Sequence, residues 1–384
     1  MSFSRRKYTI NAPKFRIKAL KNLLYICHWN LKFWVDINNV AEIDMKKCVF
    51  MLMLIAVMAC KQEYPAVIHV DGGRLHVQGI ALDQKSQLMY CSFTSAFFKT
   101  DLNGNIIGSI TGINGHLGAM TFDAKGRKVY ASLEIKDDAI GKGIADVLGA
   151  ARHERSGSNF YVAEIDVDKV TGFDIPFDDA VVLHPMDEVR KDYLESVTID
   201  GQEYEHRYGC SGMDGVTIGP GFGKSGKKKQ CLYVAYGIYG DVNRIDNDHN
   251  VLLCFDLDDL SQPVAKYFVH TGNTRYGVQN LAYDKATNKM YLAVYKGSKP
   301  QYPNYSMFTL DMMQEPFAAK LADVPYEESE VLQLKVSGGS HFKWGSTGLC
   351  PLGDGSWYIS HQGKANGSQY CDATLYNENP FLTE

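Results

Sequence analysis

The stretch HVQGIALDQKSQLMYCSF, residues 76–93, consists of two apolar runs separated by a polar turn. Short apolar runs bounded by turn residues are typical of β-strands. The first run is repeated at HLGAMTFD (116–123), GMDGVTIG (212–219), GVQNLAYD (277–284) and GSTGLCPL (345–352). The second runs are QLMYCSF (87–93), KVYASLE (128–134), CLYVAYG (231–237), KMYLAVY (289–295) and SWYISHQ (356–362), and they contain Tyr90, Tyr130, Tyr233, Tyr291 and Tyr358. One two-stranded unit therefore occurs five times.

Further strand-like runs follow these pairs, and a helix is predicted only around 138–151. Units of about four short strands, repeated in tandem, predict an all-β fold. We expect a β-propeller, in which neighbouring sheets pack around a central channel. We expect five blades, with six or seven left open if residues 150–205 contain another. The last unit lacks a strand, and YPAVIHV (64–70) precedes the first unit. We therefore expect this N-terminal strand to complete the last blade and close the ring.

Residues 45–60 read MKKCVFMLMLIAVMAC. Two lysines, a short apolar run and a small residue before Cys60 are typical of a secretory signal peptide. The end of this segment resembles the lipobox of bacterial lipoproteins, which implies cleavage before Cys60 and lipidation of its thiol. We expect a non-native upstream extension at 1–44, the signal peptide at 45–59 and a single β-propeller domain at 60–384. The domain would be a monomer, anchored by lipid to the bacterial outer membrane, on its periplasmic or its surface face.

Composition excludes some partners and sites. The formal net charge of -4 gives no electrostatic reason to expect nucleic acid. Apart from Cys60, the domain contains six cysteines without a C-x-x-C spacing, which argues against a zinc or redox centre of that type. Their pairing in disulfides cannot be assigned from spacing.

The stretches HRYGCSGMDGVTIGP (206–220), YVAYGIYGD (233–241) and NTRYGVQNLAYD (273–284) resemble uncharacterised propeller lipoproteins of gut anaerobes. More distantly, the whole domain resembles tandem-repeat propellers of the NHL and SMP-30-like kind. The resemblance implies a propeller fold in the cell envelope and brings no established activity with it.

The repeat alignment places polar residues in a ring. The first repeat positions are His76, His116, Gly212, Gly277 and Gly345, and two residues further on come Gln78, Gly118, Asp214, Gln279 and Thr347. Residues two apart share one face of a strand, so both sets are expected to line the channel mouth. Insertions at 135–159, 185–209, 237–250, 296–305 and 362–370 are predicted on the same face, where loops carry function. The same rim is predicted to receive Glu134, Arg207, Tyr208, Tyr236, Tyr239, Arg275, Tyr276, Tyr295, Lys296 and His361.

Three chemistries fit this ring, and whether the protein is an enzyme is left open. In β-elimination on an acidic glycan, His76, His116 or His361 would remove a proton, Tyr208 or Tyr276 would protonate the leaving oxygen, and Arg207 or Arg275 would hold the carboxylate. Substrate contacts would come from Gln78, Glu134, Tyr236, Tyr239, Gln279, Tyr295 and Lys296. Asp214 and Glu134 are a second option, as a glycosidase pair whose separation decides the outcome. The third is a Ca²⁺ ion at the channel mouth held by Asp214, Gln78 and Gln279.

Binding without chemistry is the alternative. The sequence contains 23 tyrosines, and sugar rings present apolar faces to such side chains. The leading hypothesis is a lipoprotein that binds or processes an extracellular carbohydrate. The alternative is a non-enzymatic scaffold or protein-interaction propeller.

Overall fold

The structure is a computed structural model that describes residues 63–148 and 157–381. The predicted extension, the signal peptide and Cys60 lie outside these residues. Within them, no helix has both the length and the apolar character needed to cross a bilayer.

Strands dominate the described residues. They are β1 (Val67–Gly73), β2 (Gly79–Asp83), β3 (Leu88–Ser92), β4 (Phe97–Asp101), β5 (Ile106–Thr111), β6 (His116–Asp123), β7 (Lys128–Ile135), β8 (Asn159–Asp166), β9 (Ile175–Pro176), β10 (Val181–Pro185), β11 (Val197–Ile199), β12 (Gln202–Tyr204), β13 (Cys210–Pro220), β14 (Gln230–Ile238), β15 (His249–Asp256), β16 (Ala265–His270), β17 (Arg275–Asp284), β18 (Lys289–Tyr295), β19 (Met307–Asp311), β20 (Phe317–Ala319), β21 (Val331–Leu334), β22 (Gly338–Ser340), β23 (Leu349–Pro351), β24 (Trp357–Ala365) and β25 (Ser368–Tyr376). The helices are α1 (Ala139–Leu148), α2 (Phe177–Ala180), α3 (Asp187–Leu194) and α4 (Gly223–Gly226), with a 3₁₀ turn at Arg207–Gly209.

The strands form the five blades of a β-propeller, as predicted. Blades 1 to 4 contain β2-β3-β4-β5, β6-β7-β8-β10, β13-β14-β15-β16 and β17-β18-β19-β22, each from its inner to its outer strand. Blade 5 contains β23-β24-β25-β1, with Val67 paired to Thr374 in an antiparallel register. The N-terminal strand therefore completes the last blade. Inner strands of successive blades contact one another, and β2 contacts both β6 and β23, so the ring is closed.

The repeated tyrosines explain why the unit recurs. Tyr90 packs in one apolar cluster with residues of blade 2, and Tyr130 packs with residues of blade 3. Tyr233, Tyr291 and Tyr358 pack in the same way against blades 4, 5 and 1. Each tyrosine is at most 6% exposed. Each therefore fills the interface to the following blade, and burying such a ring contributes about 1.5–3 kcal/mol.

Two outer edges are covered in a way that the sequence did not reveal. β9 pairs in parallel with β5 of blade 1, although the chain has by then formed the first three strands of blade 2. β21 likewise pairs in parallel with β16 of blade 3 after the chain has entered blade 4, and β20 extends that sheet. An unpaired strand edge is a template for aggregation, so these returning segments protect the blades that they cover.

Some of the predicted insertions have regular structure. The helix expected around 138–151 is present as α1, but α3 was not predicted. The insertion expected at 362–370 is instead the tip of the β24–β25 hairpin, which turns at Asn366 and Gly367. Both residues have positive φ, 51° and 85°, as a tight two-residue hairpin requires.

The insertions at 237–250 and 296–305 are joined by a buried lysine. Lys299 Nζ donates to Asp248 Oδ1 at 2.6 Å, to Asn247 Oδ1 at 2.9 Å and to the Arg244 carbonyl oxygen at 2.6 Å. Its side chain is only 4% exposed. A buried ammonium is stable only with such partners, so this contact fixes both loops.

Candidate functional site at the channel mouth

Three ionisable side chains from two blades meet at the channel mouth. His116 begins β6 and pairs in register with Glu134 near the end of β7. Asp214 approaches from β13 of blade 3. His116 Nδ1 lies 3.5 Å from Glu134 Oε2 and 3.4 Å from Asp214 Oδ1. The repeat therefore brings together, in space, residues that are far apart in sequence.

Each carboxylate is held through its other oxygen. The Met213 backbone N–H donates to Glu134 Oε1 at 2.5 Å, and Gln279 Nε2 donates to Asp214 Oδ2 at 2.9 Å. Lys136 Nζ lies 2.9 Å from Glu134 Oε2 and donates to the Ser211 carbonyl oxygen at 2.9 Å. These contacts fix the oxygens that face His116.

Glycines make room for the carboxylates. A Cβ on Gly212, whose φ is +115°, would lie 2.0 Å from Glu134 Oε1. A Cβ on Gly118 would lie 2.3 Å from the Ser132 hydroxyl and 3.4 Å from Asp214 Oδ1. Both glycines occupy ring positions of the repeat, so the absent side chains are what admits the acidic groups.

The pKa values of the cluster diverge. Burial, together with the charge of Glu134, raises the pKa of Asp214 to about 6. Burial alone would also raise the pKa of Glu134, but Lys136 and His116 bring it below its ordinary value. For His116, burial opposes protonation, yet Glu134 and Asp214 raise the pKa above its ordinary value. Carboxylates with divergent pKa values are typical of sites that move protons.

His76 has the opposite electrostatic environment. Burial lowers the pKa of His76, and the nearby charge of His116 lowers it further. One ring nitrogen, Nε2, lies 2.9 Å from Gln78 Nε2. Thr94 connects the segment before β2 with strand β6, since its hydroxyl donates to the His76 carbonyl and its carbonyl accepts from the Leu117 N–H. His76 is therefore mainly neutral near pH 7, whereas His116 retains its proton more readily.

Tyr276 and Tyr295 lie on the blade 4 side of Asp214. Gln279 Nε2, which holds Asp214, also donates to the Tyr276 carbonyl at 2.8 Å. The rings of Tyr276 and Tyr295 meet edge to face, with centroids 6.3 Å apart. The Arg275 guanidinium lies 5.3 Å from the centroid of the Tyr276 ring. Arg275 and Lys296 are exposed and form no ion pair with any residue that the structure describes.

Other predicted site residues lie elsewhere. Arg207 Nη2 donates to Glu327 Oε2 at 2.7 Å, and the Tyr208 hydroxyl donates to the same oxygen at 2.6 Å. Both line a cleft of about 290 Å³ beside α3 and β16. The Tyr236 hydroxyl donates to Asp192, which lines the same cleft.

Two further predicted residues are held by local partners. The Tyr239 hydroxyl donates to Asp138 Oδ2 at 3.1 Å. His361 stacks on Trp344 at 4.4 Å between centroids and contacts the Tyr376 hydroxyl at 3.0 Å. Asp138 Oδ2 also lies 3.8 Å from Lys136 Nζ, which contacts Glu134 of the His116 cluster, whereas Trp344 and Tyr376 have no contact with that cluster among the described residues.

Sequence reasoning missed one member of the cluster, Lys136. It follows Glu134 by two residues on the same strand-like run, and this spacing was the signal that could have identified it. The structure also bears on the glycosidase alternative. One oxygen each of Glu134 and Asp214 lie within 4.8 Å, which is too close for the water of an inverting mechanism.

No family model and no curated protein matches the chain. Among solved structures, the crystal structure of the major Malassezia sympodialis allergen Mala s 1 is similar, with a TM-score of 0.42 and 10% sequence identity. The similarity covers 84% of this chain and 98% of that chain.

Proposed function

We propose that the channel mouth binds an acidic glycan and cleaves it by β-elimination. The observation that supports this most directly is the His116 cluster at the start of the inner strands, with Tyr276 connected to Asp214 through Gln279 and the exposed Arg275 lying against the Tyr276 ring. The pKa values of the two histidines are also shifted in opposite directions. A neutral imidazole accepts a proton, while a protonated one stabilises developing negative charge. A site for removing a proton beside a carboxylate needs both.

The roles follow from the surroundings of each residue. His76 Nε2 gives up its hydrogen bond from Gln78 and takes the proton from the carbon next to the uronate carboxylate. Arg275 with Lys296 binds that carboxylate. The electron pair forms a carbon–carbon double bond as the glycosidic oxygen departs, and Tyr276 or Tyr295 donates a proton to that oxygen. His116, held by Glu134 and Asp214, stabilises the intermediate charge. Gln78 and Gln279 orient His76 and Asp214.

We further propose that the protein works outside the cytoplasm, as a monomer anchored to the outer membrane through lipid on Cys60. A polymeric glycan is too large to enter a cell unprocessed, so an anchored propeller with an open mouth is suited to such a substrate.

The test incubates the protein with a panel of uronate-containing and neutral polysaccharides. Ultraviolet absorbance follows unsaturated uronate ends, and a reducing-end assay follows hydrolysis. We expect absorbance to rise with an acidic glycan, and His76→Ala to abolish the rise without lowering the melting temperature. Arg207→Ala is the matched control for Arg275→Ala, because Arg207 lies in the separate cleft. Absence of both signals, and of retardation in a glycan affinity gel, would reject the proposal.

A non-enzymatic interaction module is the second candidate function. It is favoured by predicted rim residues that are held by other parts of the protein, such as Tyr208, whose hydroxyl donates to Glu327. This alternative would be supported if the protein bound a glycan or a protein partner without altering it chemically, and if His76→Ala had no effect on that binding.

A further inference from the structure

The His116, Glu134 and Asp214 cluster also has the geometry of a metal site. In tetrahedral zinc sites the bonds to nitrogen and oxygen are about 2.0–2.1 Å, so neighbouring ligand atoms lie about 3.3–3.4 Å apart. His116 Nδ1 lies 3.4 Å from Asp214 Oδ1 and 3.5 Å from Glu134 Oε2. Two edges of the ligand triangle therefore already match, and the third is within 4.8 Å.

The surroundings support the same conclusion. In metal sites, outer hydrogen bonds hold the oxygens that do not bind the ion. Gln279 holds Asp214 Oδ2, and the Met213 N–H holds Glu134 Oε1, which leaves Asp214 Oδ1 and Glu134 Oε2 directed towards the imidazole. Glu134 Oε2 is buried, and its neighbours are the His116 imidazole and the Lys136 ammonium. Its close contact with Lys136, at 2.9 Å, is an ion pair.

The donor set favours a first-row transition metal over calcium. Calcium takes six to eight oxygen ligands, whereas an imidazole nitrogen suits zinc and its neighbours. The amide of Gln78 faces His76 and Thr94. Gln279 presents its NH₂ group to two acceptors, Asp214 Oδ2 and the Tyr276 carbonyl, so its oxygen points away from them.

We propose that His116, Glu134 and Asp214 bind one divalent first-row metal ion, best represented by Zn²⁺, with a further coordination position left for water or a ligand. This proposal goes beyond the glycan reaction and does not depend on it, and in the metal-bound form Nδ1 of His116 holds the ion in place of a proton. Lys136 then acts as a competitor, because its ammonium lies against the oxygen that the ion would use and repels a second cation.

The experiment uses the full chain, treated with EDTA and dialysed, and titrates it calorimetrically with ZnSO₄. We expect one equivalent to bind, and affinity to fall at least a hundredfold in His116→Gln and in Asp214→Asn. His361→Gln is the matched control, since His361 lies against Trp344 and Tyr376, and should bind as the wild type does. We expect Lys136→Met to bind zinc more tightly.

Cobalt provides a readout on the unaltered protein. Co²⁺ in a tetrahedral site absorbs visible light much more strongly than octahedral Co²⁺, so the wild-type protein should develop an intense blue colour that Zn²⁺ removes. Weak absorbance, or zinc binding that His116→Gln leaves unchanged, would overturn the proposal. Binding of Ca²⁺ in preference to Zn²⁺ would overturn it as well. Because no glycan is present, the result is independent of the proposed lyase reaction.

Discussion

Gly212→Ala tests whether the backbone of blade 3 was shaped to admit the Glu134 carboxylate. The new Cβ would lie 2.0 Å from Glu134 Oε1 and 2.7 Å from a ring carbon of Phe160. The backbone itself, with φ at +115°, is unfavourable for alanine by about 1–3 kcal/mol. Moving the carboxylate also breaks its bond from the Met213 N–H, which costs about 1.5–3 kcal/mol for a charged acceptor.

Together these effects predict a loss of about 2.5–6 kcal/mol in the free energy of unfolding. For a protein of this size the melting temperature falls by about 2 °C per kcal/mol, so we expect a decrease of about 5–12 °C by calorimetry. Zinc binding should weaken in the same variant, because Glu134 can no longer face His116.

Two other glycines separate the causes. Gly353 has a φ of +82° and no atom near the position that a Cβ would take, so Gly353→Ala measures the backbone cost alone. Gly172 has open space without a positive φ, and Gly172→Ala should change the melting temperature by no more than about 1–2 °C. If Gly212→Ala loses no more stability than Gly353→Ala, the proposed clash with the carboxylate is wrong.

Three further predictions concern the rest of the molecule. Arg207→Ala should lower the melting temperature and leave glycan binding unchanged, whereas Arg275→Ala should weaken glycan binding and leave the melting temperature unchanged. Calorimetry and affinity gels measure the two properties, and equal effects of the two substitutions would contradict the separate locations of the arginines. Lys299→Met leaves the Asp248 carboxylate buried without its ammonium and should cost about 3–5 kcal/mol in denaturant unfolding, with a loss below about 1 kcal/mol refuting the argument. Burial lowers the pKa of His249 to about 4 in the folded protein, compared with about 6.5 in the unfolded chain. Between these two pH values the imidazole is protonated in the unfolded chain and neutral in the folded protein, so the free energy of unfolding decreases as the pH falls through this window. From pH 7 to pH 5 the free energy of unfolding should decrease by about 2 kcal/mol through this residue, and His249→Phe should abolish that decrease. The same dependence of stability on pH in both proteins would refute the prediction.

The fold was predictable because the repeated sequence pattern follows from how neighbouring blades pack. Each unit needs an aromatic residue at the interface to the next blade, so Tyr90 and its four counterparts recur in the sequence and reveal the blades. The closing strand was predictable for the same reason, since a ring leaves no blade incomplete. The parallel strands β9 and β21 were not, because two to four residues covering an edge have no repeat and little periodicity.

The site was predictable only in part. His76, His116, Glu134, Asp214 and Gln279 came from the repeat alignment, and the structure places the last four in direct contact or one hydrogen bond apart. Alignment fixes where a strand begins relative to the channel. It does not show that the buried Lys136 pairs with Glu134, and this ion pair determines how the pKa values of Glu134 and Asp214 differ.

The tripeptide Arg-Tyr-Gly shows how position within the repeat determines the role of a motif. It occurs at 207–209 and at 275–277, and the tyrosine has a positive φ in both, 56° and 64°. In blade 4 the glycine of the tripeptide is itself the first repeat position, so Arg275 remains exposed at the mouth. In blade 3 two more residues separate the tripeptide from Gly212, and they carry Arg207 beyond the mouth to Glu327 in the cleft. The same tripeptide therefore gives an exposed arginine in blade 4 and an arginine paired with Glu327 in blade 3. The two copies differ in their distance from the first repeat position.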